Sequence, residues 1–230
     1  MRRALWIGVV TLATLGIISA LARAVSVGAG GLSFAQIQRL MPAELVQESF
    51  DFDRWFAAHP LPSMLHVVLG GVFLAFAPLQ FSSRLRNRYL NLHRWLGRVL
   101  VMVALPIGIS GLLLGVIFPY GGPAAAAAVF AAGTFFLVAL VRAVFAIRRH
   151  EVARHREWMI RMFAIGLGIA TVRIIGLILV VITRSSFQEL AGTAFWLGWL
   201  LTLAAAEWWI RRTRVRDTGV VAAPASVQAT

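Results

Sequence analysis

The sequence predicts an all-α, polytopic transmembrane bundle of about six helices, with both termini in the cytoplasm (N-in/C-in). Three observations predict it. Of 230 residues, 60% are hydrophobic and only 13% are charged, about half the charged share of a soluble domain. A soluble fold of this size could not hide so much apolar surface. Six segments reach the roughly 20 mostly apolar residues that a helix needs to cross the hydrocarbon core. The arginines between those segments gather on one side.

The apolar segments, in order, are about Leu5–Val25, Pro62–Phe81, Trp95–Phe118, Pro123–Ile147, Met159–Thr183 and Ala191–Ile210. Arg2 and Arg3 precede the first. Arg84, Arg86, Arg88 and Arg94 fill the second connection. Arg148, Arg149, Arg154 and Arg156 fill the fourth, and Arg211, Arg212, Arg214 and Arg216 follow the last. The connections of the opposite face carry only Arg39, Arg54 and Arg184. Cytoplasmic loops hold the excess of basic residues, so this pattern places both ends in the cytoplasm and the chain in the cell (inner) membrane. It also supports an even number of crossings.

The chain divides into four parts. Residues 1–28 form the first transmembrane helix. Ser19, Ala20 and Ala22 would suit a signal-peptide cleavage site, but the apolar run is long for a signal, so an uncleaved anchor is expected. Residues 29–61 form the large outer loop. Phe34, Ile37, Leu40 and Met41 recur there at helical spacing, Leu45 follows, and Glu44, Glu48, Asp51 and Asp53 make its middle acidic; a short interfacial helix fits. Residues 62–210 are a five-helix core. Residues 211–230 are a cytoplasmic tail whose end, from Asp217, is small and polar and is expected to be disordered.

The net charge of +13 sits at the ends of apolar runs rather than on a soluble basic face, which argues against nucleic acid as a partner. There are no cysteines, which excludes disulfides, thiolate chemistry and Cys-ligated metal centres. Small residues mark helix contacts: Gly111 and Gly115, Ala124 to Ala128, and Gly166 and Gly168 let backbones approach in lipid. This is a packing signal, and it leaves a homo-oligomer open.

Polar groups inside a membrane are costly and mark the places to look for function. His66 lies near the outer end of the second helix and shares a face with Gly70, Phe73, Ala77 and Gln80. A bond to a neighbouring carbonyl is its plainest use, and a ligand or proton-relay role is the other. Arg173 lies on a stripe of small residues, Gly166, Ala170 and Gly176, so it is expected to point into the bundle within reach of His66. No carboxylate falls in the outer half of any helix. Arg173 therefore bonds carbonyls or water, or holds an anionic or carbonyl-bearing ligand such as a lipid headgroup or a quinone. His66, Arg173 and Gln80 form the candidate intramembrane polar site.

A second candidate lies at the cytoplasmic mouth: His93, His155, Arg161 and Glu207. Glu207 precedes Arg211 by four residues, a same-face ion-pair spacing. Eighteen residues make five turns, so His155 shares the azimuth of Arg173, and His93 that of Gly111. The two histidines could face each other and bind a metal or a haem edge; capping of helix ends is the plainer use. No metal is otherwise indicated. His150-Glu151 with His155 resembles HExxH, but the second histidine falls one residue late and off the metal-binding face.

Several linked motifs occur in order: His66-x3-Gly70, Pro78-Leu79-Gln80-Phe81, Leu92-His93-Arg94-Trp95-Leu96-Gly97-Arg98, Ala153-Arg154-His155-Arg156-Glu157-Trp158, Thr171-Val172-Arg173 and Ala206-Glu207-Trp208. Over about residues 60 to 210 the chain resembles the bacterial predicted-membrane-protein family called domain of unknown function 2306. The resemblance implies a multi-helix membrane bundle and no established activity, cofactor or substrate. It marks His66, His93, His155, Arg161, Arg173 and Glu207 as motif positions.

Two functional classes follow. One is a non-enzymatic transporter-like, lipid-binding or assembly component with a polar site in the outer half and no cofactor, whose partners are the bilayer and an anionic lipid or quinone. The other is a membrane redox protein using haem or quinone at His93 and His155, with His66 as a separate outer ligand.

Overall fold

The computed structural model describes residues 2–28 and 54–218, with side chains at 4–25 and 54–214. Every regular element among them is a helix. They are α1 (Arg2–Gly28), α2 (Pro60–Gln80), α3 (Ser83–Arg88), α4 (Leu90–Leu112), α5 (Gly122–Arg148), α6 (Val152–Thr183) and α7 (Phe187–Thr218). Residues 54–58 are also helical. Six helices are long and apolar enough to cross a membrane, as the sequence predicts. The outer-loop helix expected around residues 34–45 falls outside the described residues.

Local chemistry sets the ends. Prolines stand in the first turns of α2 and α5, where a missing N–H costs nothing. The Ser82 hydroxyl accepts from Leu85 N–H at 3.4 Å and caps the short α3. Arg184 closes α6 in the left-handed conformation. His150 turns the chain between α5 and α6 with φ 62°. It therefore lies outside α6, which removes the last resemblance to a zincin helix. The last helix runs well past Ile210, so residues 211–218 extend α7 instead of opening a tail. Residues 219–230 lie outside the described residues.

The crossings alternate in direction. Gly16 meets Leu74 and Gly71 meets Ala20 between α1 and α2; Gly115 meets Val129 and Gly108 meets Leu137 between α4 and α5. Consecutive spanning helices are thus antiparallel, and the Arg-rich segments around α3, between α5 and α6, and at the end of α7 share one end of the bundle. Helices α2, α4, α5 and α6 form a ring in which α2 and α5 each pack on both α4 and α6. Helix α1 covers α2 and α6; α7 covers α5 and α6.

Small residues make the close contacts. The buried face of α5 reads Ala125, Ala128, Ala132, Phe136, Ala139, Ala143, Ala146, the three-and-four spacing of one helical stripe. A Cβ on Gly198 of α7 would stand 2.5 Å from a Val172 methyl, too close for any other residue. Large apolar side chains point outward instead: Met102 and Leu201 are 71% and 57% exposed at mid-helix, a surface that lipid tolerates and water does not.

Midway through the ring, Phe73 lies 6.1 Å from Phe136 and 6.2 Å from Phe163. This aromatic layer divides the interior into an Arg-rich region and a second polar region toward the opposite end, the end that the arginine bias makes the outer one. The α4 helix ends in a π-turn, Leu113–Ile117, which widens it on the outer side. Such turns recur at functional sites.

Candidate functional site

The outer region holds three polar groups from three helices. His66 is half-buried on α2, and its Nδ1 donates to the Ile107 carbonyl of α4 at 3.1 Å. A carbonyl only accepts, so Nδ1 carries the proton and Nε2 keeps its lone pair. Gly111 makes room for the ring; a Cβ there would lie 2.9 Å from His66 Cε1. Arg173 is half-buried on α6 and forms no hydrogen bond or ion pair among the described residues. Its charge reaches both His66 and Arg23 of α1. Arg23 lies inside the first apolar run, two residues before its end at Val25, and a lone arginine there is itself a signal. Its guanidinium rests 5.0 Å over Phe56. Around them stands an aromatic rim in which His59 stacks on Phe118 at 4.1 Å and Trp55 meets Tyr120 at 6.0 Å, the belt expected at a membrane interface.

Gln80 does not belong with this group. It lies fourteen residues beyond His66 on α2, about 21 Å along the axis at 1.5 Å per residue, on the far side of the aromatic layer. Sharing a helix face does not mean sharing a depth. Gln80 packs beside Gly97 of α4, whose Cβ would lie 3.4 Å from the amide oxygen.

The Arg-rich end therefore gains a member. His93 is the fourth residue of α4, and His155 the fourth residue of α6. Both helices enter from this end, so the two histidines occupy matching positions in the first turns of their helices. They stand at opposite corners of the ring, and the positive charges of Arg86 and Arg94 bear on His93. His155 Nδ1 donates to the Ala143 carbonyl at 2.9 Å, which leaves its Nε2 lone pair available. His93 Nδ1 and Gln80 Nε2 are buried with no hydrogen-bond partner. Buried polar atoms without partners are unusual.

Arg161 and Glu207 close the adjacent wall, but not as the sequence spacing suggested. Glu207 pairs with Arg161 across α6 and α7, not with Arg211. Arg161 Nε and Nη2 donate to the two carboxylate oxygens, the latter at 3.0 Å. Arg161 Nη1 also lies 3.7 Å from Glu157. Glu157 in turn accepts a forked pair from Arg214, with Nε at 2.8 Å. Arg156 donates to the Thr213 hydroxyl at 2.8 Å. These pairs tie α6 to α7 with the bidentate geometry arginine favours.

Fold and site together define a multi-pass helical membrane protein with one polar region in each half. The chain belongs to the family described as predicted membrane protein (DUF2306), whose model matches residues 63–210. No curated protein and no solved structure matches it.

Proposed function

We propose that this protein is a membrane redox component that holds one haem at its Arg-rich end, between His93 and His155. The observation that carries the reading is their placement: two histidines in the first turns of two helices at opposite corners of a four-helix ring, with His93 Nδ1 and Gln80 Nε2 both buried without a protein partner. Bis-histidine ligation needs two imidazole lone pairs from different helices at one level. The hydrogen bond from His155 Nδ1 to a main-chain carbonyl is the support that ligating histidines usually have, since it fixes the ring and raises its basicity. Arg86 and Arg94 suit the two propionates. Haem supplies one-electron chemistry; this chain's own residues would hold it and tune its potential, and no bond-making reaction is assigned to them.

The test is the visible spectrum of the full chain purified in detergent from haem-replete cells. A Soret band lost in both His93→Ala and His155→Ala, and kept in His66→Ala, supports the reading. A colourless protein that also takes up no added haem sinks it.

A second reading rests on Arg173: a non-enzymatic transporter-like, lipid-binding or assembly protein whose outer region holds an anionic or carbonyl-bearing molecule, a lipid headgroup or a quinone. An arginine held in the membrane costs about 2.5–3.5 kcal/mol on insertion scales, and here it faces a second guanidinium and a histidine with a free lone pair. Unchanged co-purifying lipid and quinone in Arg173→Ala would remove this reading. For both, we place the chain in a bacterial inner membrane with the Arg-rich end in the cytoplasm, following the arginine bias of the connections.

A further inference from the structure

We infer that the Arg-rich end also carries a phosphate-binding site between α5, α6 and α7, suited to the headgroup of an anionic lipid. It is separate from the histidine pair and does not depend on it. An open pocket there is lined by Arg142, Arg154, Glu157, Trp158, Arg161 and Arg214. Four guanidiniums face a single carboxylate.

The carboxylates nearby are already engaged. Glu157 accepts from Arg214 and approaches Arg161; Glu207 accepts from Arg161 through both oxygens; Glu151 accepts from Arg154 at 3.1 Å. Arg142 of α5 is different. It is exposed and has no carboxylate partner among the described residues. Its guanidinium lies 5.0 Å over the Trp158 ring, which Arg161 also covers at 4.8 Å. Trp158 thus holds two guanidiniums from two helices at one place. That of Arg161 turns its N–H donors to Glu207 and Glu157, whereas stacking leaves the planar fork of Arg142 free for a phosphate oxygen pair. The pocket opens where the apolar spans give way to arginines, the depth at which lipid phosphates lie. Basic pockets between membrane helices on that face are suited to acidic headgroups.

The test uses the full chain in a neutral detergent, with phosphatidylglycerol, phosphatidylcholine or inorganic phosphate added in separate arms. Bound lipid is read by native mass spectrometry and stabilisation by the melting temperature. Phosphatidylglycerol should bind in preference to phosphatidylcholine, and salt should weaken it. Arg142→Ala should cut its affinity about tenfold, the loss of one charge-assisted contact; Arg142→Lys should recover part. If Arg142→Ala does not fold, Arg154→Ala takes its place, because that side chain is 71% exposed. Inorganic phosphate that stabilises as well as the lipid would assign the same site to a soluble phosphate. Equal binding of the two lipids with no phosphate effect would overturn the inference. So would undiminished phosphatidylglycerol binding in the arginine variants.

Discussion

Replacing Glu207 by Ala removes the carboxylate that accepts both Arg161 bonds across α6 and α7. Breaking a fully buried ion pair costs about 3–5 kcal/mol, while an exposed pair is worth about 0.2–1 kcal/mol. Here the side chains are 16% and 32% exposed, so the pair lies between those limits. Arg161 also keeps Glu157 at 3.7 Å, which softens the loss. The expected destabilisation is about 2 kcal/mol, near one charged hydrogen bond. Glu207→Gln keeps one acceptor and should cost about half as much. In a double-mutant cycle with Arg161→Ala the coupling should be about 1–2 kcal/mol. Arg211→Ala should fall within about 0.5 kcal/mol of wild type, as isolated surface changes do. Equilibrium unfolding in mixed detergent and dodecyl sulfate micelles reads all of these. A Glu207→Ala cost equal to that of Arg211→Ala, or no coupling to Arg161, would refute the cross-helix pairing.

Three further outcomes follow from the packing. Gly111→Ala should destabilise by about 1–3 kcal/mol, the range for overpacking, because its Cβ would meet His66 Cε1 at 2.9 Å; the same unfolding assay reads it, and a neutral result would mean the His66 ring is not held there. Phe73→Ala should cost about 3 kcal/mol or more, since that side chain is 2% exposed between Phe136 and Phe163; a cost below that of an exposed apolar residue such as Met102 would contradict the aromatic layer. A reporter fused after Arg216 should be active in the cytoplasm, and one inserted at Gly121 should be active only outside; the reverse pattern would invert the bundle.

What the sequence makes legible is what periodicity and hydropathy carry. Six spans, the alternation of the arginines and the inward stripe of Gly166 and Ala170 are local patterns, and the helices keep them. The equivalence of His93 and His155 is also legible, because each lies just before an apolar span and is followed by an arginine. Partners across helices were not. The four-residue spacing of Glu207 and Arg211 is a local signal, and nothing local shows that Arg161 of α6 comes closer. Gln80 shares a face with His66, and only the length of α2 separates them by the thickness of the aromatic layer. Arg23 lies in an anchor whose hydropathy masks a single charge. Its weight emerges only when α1 packs against α2 and α6 and brings it within the field of Arg173.

The central functional claim is one haem held by two histidines at the Arg-rich end. Its most direct test is the haem content per chain, measured as the pyridine haemochrome of the purified protein. The account predicts about one haem per chain in wild type, the single bis-histidine site of the proposal. It predicts none in the His93→Ala, His155→Ala double variant and an unchanged content in His66→Ala. A wild-type chain without haem, or a double variant that retains it, would contradict the account.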